Sequence, residues 1–179
     1  MQLNAGILLN SFDPSTATIT DTDIVGATSG GVHFSAKPTF NDWGEDVDNC
    51  PKNMKELKKL DSWEVMLNGT FTTVTAALAK KLIGAADIAT NKITPRNDLK
   101  DEDFTDMWWV GDYSDENGPT NGGMVAIHMM NTLSTGGFDM QTTDRQKGKF
   151  AFEFTAHYSA SAQDTVPFEV YVQAGTAEG

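Results

Sequence analysis

A single cysteine, Cys50, stands in 179 residues, which rules out an intrachain disulfide and a structural zinc site built from several thiolates. Synthesis in a reducing cytoplasm fits. Basic residues are also scarce: 13 Lys and Arg face 25 Asp and Glu, for a formal net charge of −12. Gripping nucleic acid needs clustered Lys and Arg that release phosphate counterions, so this balance argues against a DNA-binding protein. No apolar run approaches the roughly 20 residues of a membrane span. Met1 to Phe12 has no basic start and no apolar stretch of about 7 residues, so no export signal is expected. Six Pro and 16 Gly exclude a collagen-like or low-complexity chain, and 39% hydrophobic residues supply a core. A chain of this length folds as one domain, 1–179, and buries about 70% of its unfolded surface.

Sequences that carry chemistry are missing as well. Neither G-x-x-x-x-G-K-[ST] nor G-x-G-x-x-G occurs, so nothing cradles a nucleotide phosphate by those routes. Gly26-Ala27-Thr28-Ser29-Gly30 lacks the serine of a nucleophile elbow and reads as a turn. His33, His128 and His157 each sit alone in an expected strand, without a partner at metal-ligand spacing. Asp112 to Gly123 departs from the calcium-loop pattern at its sixth and twelfth positions, where Asn117 and Gly123 stand. Asn68-Gly69-Thr70 is a glycosylation sequon by chance, given no export signal. No pair of carboxylates is singled out for acid and base work. The expectation is a protein that is not an enzyme and holds no cofactor or metal.

What is present is period-two patterning. Apolar residues alternate in Val32 to Phe40, with Pro38 marking an end or an edge. They alternate again in Ser62 to Phe71, where Trp63, Val65, Leu67 and Phe71 oppose Glu64, Met66, Asn68 and Thr70. In Lys149 to Tyr158 the alternating set is Phe150, Phe152, Phe154, Ala156 and Tyr158. Further strands are expected at Ala5–Leu9, Ile88–Thr94, Asp106–Val110, Met124–Leu133, Phe138–Thr142 and Phe168–Val172. The run Met107-Trp108-Trp109-Val110 reads as buried on both faces. The turn-rich tract Gly111 to Gly123 joins two antiparallel strands. Thr73 or Thr75 caps one helix that runs to about Ala86, with Lys80 and Lys81 on its wet side. The fold class is mainly β: an antiparallel β-sandwich or barrel with one flanking α-helix.

Two segments stand apart from this pattern. Residues 41–60 form a long loop with an acidic half (Asp42, Glu45, Asp46, Asp48) and a basic half (Lys52, Lys55, Lys58, Lys59). A loop of this length is uncommon unless functional. Its plainer reading is a solvated loop with a short Lys-rich helix from Asn53 to Leu60. Residues 174–179 read as a frayed tail.

Taken together, several short motifs resemble one family. They are the apolar strand Leu3 to Leu9, Gly-Ala-Thr-x-Gly-Gly at Gly26 to Gly31, and Asp-Ser-Trp-Glu-Val at Asp61 to Val65. The Ala-Leu-Lys helix, Trp108-Trp109-Val110-Gly111-Asp112, Asn131 to Phe138, Ala156-His157-Tyr158 and Pro167-Phe168-Glu169-Val170 complete the set. From about Leu3 to Val172 this resembles the major tail tube proteins of long-tailed, non-contractile bacteriophages. The resemblance implies a structural virion protein, made in the bacterial host cytoplasm, that assembles with itself into hexameric rings stacked as a hollow tube. It implies tape measure, tail terminator and distal tail proteins as partners. DNA is its non-adhering cargo, and no membrane takes part.

On that reading a tube wall must not hold its cargo, and negative charge repels phosphate. The candidates for the bore are Glu64, Asn68, Glu153 and Thr155. The two halves of the 41–60 loop are the candidates for contact between rings, where opposite charges favour register. Rival readings are the inner tube of a contractile tail or related injection apparatus, and a monomeric sandwich binding carbohydrate or a surface through Trp43, Trp108 or Trp109. A hydrolase assembled from distant residues is a third.

Overall fold

A computed structural model describes residues 2–114 and 123–174. In chain order its elements are β1 (Gln2–Leu9), β2 (Ile24–Gly26), β3 (Thr28–Asp42), β4 (Lys58–Phe71), α1 (Ala76–Ile83), β5 (Ala86–Ala89), β6 (Lys92–Pro95), β7 (Thr105–Ser114), β8 (Gly123–Ser134), β9 (Asp139–Gln141), β10 (Lys149–Ala156) and β11 (Phe168–Gln173). The fold is mainly antiparallel β with one α-helix, as the period-two patterning implies. A first sheet runs β2-β1-β7-β8-β11, and a second runs β3-β4-β10 with β9 on part of β10. Strand β8 belongs to both. Its body lies between β7 and β11, and its last residues, Leu133 and Ser134, pair with Thr155 and Phe154 of β10.

One continuous core lies between the two sheets. Leu8, Met107 and Met129 of the first sheet meet Val65, Leu67, Phe71, Phe150, Phe152 and Phe154 of the second, with Leu78 and Leu82 of α1 joining them. A smaller cluster of Leu9, Phe12, Trp108, Val110, Met124 and Ala126 covers the other face of the first sheet. The unbroken apolar run in β7 is therefore buried from both sides, as its composition requires.

Pro38 falls inside β3, where an edge strand tolerates it. Trp63, its cross-strand partner, donates its N–H to the Tyr158 hydroxyl at 2.9 Å instead of to β3. Pro38 and Trp63 are thus a non-hydrogen-bonded pair, and the proline nitrogen points to the free side of β3. No ladder bond is lost.

Thr75 caps α1, its Oγ1 accepting the Leu78 N–H at 3.1 Å, and Gly84 ends the helix at φ +83°. Lys80 and Lys81 were both expected to face water. Lys81 instead is partly buried, with Nζ donating to Thr105 Oγ1 at 3.1 Å, because β7 begins alongside the last helical turn. The expected strand over Ile88–Thr94 is a hairpin, β5 paired with β6, turning at Thr90 with φ +57°. Arg96 braces this block. Its Nη2 donates to both carboxylate oxygens of Asp103 at 2.6 and 2.8 Å, and the Asp103 side chain is fully buried.

The 41–60 segment has no Lys-rich helix. β3 and β4 extend as a hairpin past the core, pairing Phe40 with Leu60 and Asp42 with Lys58, and residues 43–57 fold as turns at the tip. Strands β7 and β8, on either side of the Gly111–Gly123 tract, are antiparallel neighbours. Most of that tract, and the tail beyond Ala174, lie outside the described residues.

Candidate functional site

Alternation along β4 and β10 fixes two faces of the second sheet. Val65, Leu67, Phe152 and Phe154 point into the core, so the residues between them point the other way. Glu64, Asn68, Glu153 and Thr155, the four bore candidates, therefore share one outer face. The register sets them in rows across three strands: His33, Asn68 and Glu153 form one, Ser35, Met66 and Thr155 the next, and Lys37 stands opposite Glu64.

Thr135, just past β8, joins this surface. Its Oγ1 donates to Glu153 Oε1 at 2.9 Å and lies 2.9 Å from Thr155 Oγ1. With its one proton given to Glu153, Thr135 takes the Thr155 proton, so a hydroxyl relay runs from Thr155 to Glu153. The sequence offered no sign of this, because Thr135 lies outside every expected strand and meets β10 only through the crossover of β8.

The charge of the face is nearly balanced. Glu64, Glu153 and Asp139 stand against Lys37 and Lys149. The strong acidity of the chain thus lies mainly elsewhere, and what marks this surface is short, neutral, hydrated side chains. Met66 is a large apolar exception.

The eight residues of the charged segment come together at the tip of the β3–β4 hairpin, in different roles. Asp42 organises the tip: Oδ2 accepts the Asn53 N–H at 2.8 Å and Oδ1 the Gly44 N–H at 3.0 Å. Those two bonds, with Lys58 and Lys52 nearby, hold its carboxyl below the usual carboxylate range. Glu45 pairs with Lys52 at 3.6 Å in solvent. The Lys55 amine lies 3.5 Å from Glu56. Lys58 sits over the Phe40 ring and Lys59 over the Trp43 ring. Asp46 and Asp48 are exposed, with no ion pair among the described residues. The acidic and basic halves thus partly satisfy each other. The sequence reading overlooked the tip's apolar surface, made by Phe40, Trp43, Val47, Met54 and Leu60, all exposed.

The aromatic platform of the carbohydrate reading is not assembled. Trp108 is buried, with the His128 ring stacked on it at 4.0 Å. Trp109 packs against Gly6 and Gly111. Only Trp43, at 67% exposure, offers a face, and Lys59 lies over it. The histidines do not converge. His33 lies on the outer face of the second sheet, His128 bonds Asp106 at 3.1 Å, and His157 bonds the Asn131 carbonyl at 3.1 Å. Among the described residues no three metal-ligating side chains cluster, and no helix is long and apolar enough to cross a membrane.

A scan against protein-family models finds no match for this chain, and a search of curated proteins finds none either.

Proposed function

We propose that this chain is the wall subunit of a hollow tube, assembling in stacked hexameric rings through which DNA passes in a phage tail. One observation carries the reading. The four bore candidates lie together on one polar sheet face, and the edge of that sheet is a 15-residue strand, β3, with nothing paired along its outer side among the described residues.

An unpaired edge of that length is a hazard in a monomer, and closure into a ring removes it. The face suits a bore because hydroxyls, an amide and balanced charges hold water without presenting the clustered Lys and Arg that would release counterions from phosphate. With a Debye length of about 8 Å at physiological salt, the passing duplex feels chiefly these wall residues. The hairpin tip, projecting past the core, is the element proposed to touch the next ring. Its exposed aromatic and aliphatic groups make that contact apolar at the centre and charged at the rim. The same geometry would serve the inner tube of a contractile tail.

Negative-stain microscopy of concentrated protein near physiological salt tests the reading. Six-fold rings or hollow tubes are expected, and persistence of monomers would refute it. Glu64→Lys with Glu153→Lys should leave the tubes intact yet make them retain DNA in a salt-sensitive manner.

A further inference from the structure

Lys81 has no counterpart elsewhere among the described residues. Its amine is partly buried at a cavity of about 190 Å³ lined by Ala77, Lys80, Gly84, Ile88, Glu102, Asp103 and Thr105. Among the described residues it makes one hydrogen bond, to Thr105 Oγ1 at 3.1 Å, and no carboxylate lies within ion-pair distance. The two carboxylates that line the cavity are engaged by other groups: Asp103 by Arg96 and the Lys100 N–H, and Glu102 by the Lys100 amine at 3.6 Å. Burial without a counterion disfavours the ammonium form and lowers the pKa of this amine. A neutral amine keeps a nucleophilic lone pair.

We propose that Lys81 is a covalent modification site, taking an acetyl-sized group from a small acyl phosphate and housing it in this cavity. The Lys81 nitrogen attacks the acyl carbon, an N–C bond forms, and the C–O bond to phosphate breaks. Phosphate leaves with the electron pair, and the proton lost from nitrogen passes to water. The cavity holds the volume of several waters, whose share of the liquid is about 30 Å³ each, so a two-carbon acyl group fits. The product is a neutral amide in a site that disfavoured charge.

The test is limited labelling of the intact protein with acetyl phosphate, followed by peptide mass spectrometry over all 11 lysines. At pH 7.5 Lys81 should be acetylated several-fold faster than the median lysine. That preference should fade toward pH 10, where exposed amines also become neutral. Ile88→Trp fills the cavity from an exposed position and should bring Lys81 down to the median while Lys80 and the rest are unchanged. Labelling of Lys81 at or below the median at pH 7.5, a preference that persists unchanged to pH 10, or full labelling in the Ile88→Trp protein would each overturn the proposal.

Discussion

Trp109 occupies space that two missing side chains leave open, and this can be measured. Gly6 and Gly111 are cross-strand partners on β1 and β7. A Cβ on Gly111 would overlap the Trp109 ring. One on Gly6 would come within 2.6 Å of that ring and 2.5 Å of the Val110 carbonyl oxygen. Overpacking of this kind costs about 1–3 kcal/mol, whereas Gly→Ala at a compatible backbone gains about 0.4–1 kcal/mol through the unfolded chain. The clash wins, for a net loss of about 1–2 kcal/mol from Gly111→Ala. For a chain of this size that lowers the melting temperature by about 2–8 °C. Thermal unfolding followed by circular dichroism, with urea titration to confirm an unchanged slope, gives the value. Trp109→Leu removes the obstructing ring, so Gly111→Ala in that background should be neutral or stabilising. Gly6→Ala should still destabilise there, because the Val110 carbonyl stays in place. Equal cost of Gly111→Ala in both backgrounds would refute the reasoning.

Other outcomes follow from single contacts. Thr75→Ala removes the α1 cap and should cost about 1 kcal/mol, read as a lower urea midpoint. Burial alone raises the Asp103 carboxyl pKa, but the Lys100 N–H and the Arg96 guanidinium outweigh it and hold the carboxyl below its ordinary 3.8. The stability Asp103 contributes is therefore complete above pH 3.8 and is lost as pH falls through the lower, folded value. The gap in melting temperature between wild type and Asp103→Asn should be flat near neutrality and close in acid. Lys81 runs the opposite way: its pKa is lowered from 10.5, so its cost is complete below the folded value and vanishes above pH 10.5. Lys81→Met should raise the melting temperature at pH 7, and Lys80→Met should not match it. His128→Ala uncovers the Trp108 ring, so tryptophan emission should shift to the red.

Much of the fold was legible where one face of an element meets core and the other meets water. Val65 and Leu67 on β4, and Phe152 and Phe154 on β10, announced their strands. That same alternation set Glu64 and Asn68 on the non-core side of β4, and Glu153 and Thr155 on the non-core side of β10; the pairing of the two strands joins them. Thr75 and the Ala-Leu-Lys sequence announced the helix. Features depending on distant partners were not legible. The turn at Thr90 has no glycine to mark it, so β5 and β6 read as one strand. Lys81 has the composition of a wet position, and only the arrival of β7 covers it. Asp42 looked like one of four equivalent acids, but one of its two backbone partners, Asn53, comes from chain that folds back across the tip. The near neutrality of the outer face depends on Lys37 falling opposite Glu64, which requires the register of two strands.

That register also permits a pointed test of the ring. In an antiparallel pair, hydrogen-bonded and non-hydrogen-bonded positions alternate. Pro38 and Trp63 are a non-hydrogen-bonded pair, and the register continues unbroken through Ala36 with Val65 to Phe34 with Leu67. The N–H groups of Phe34 and Ala36 therefore point to the free edge, whereas those of Ser35 and Lys37 point to β4. Ala36→Pro removes one outward donor and no internal one, and β3 already accommodates Pro38 in the same phase. Ser35→Pro removes a ladder bond inside the subunit. If neighbouring subunits join along β3, Ala36→Pro should keep near-wild-type melting behaviour yet fail to form rings, and Ser35→Pro should lose thermal stability first. Both are read by one melting curve and one sedimentation profile. Rings of normal abundance from a folded Ala36→Pro protein would exclude this edge as the seam, because a donor cannot be removed from the middle of a shared ladder without weakening it.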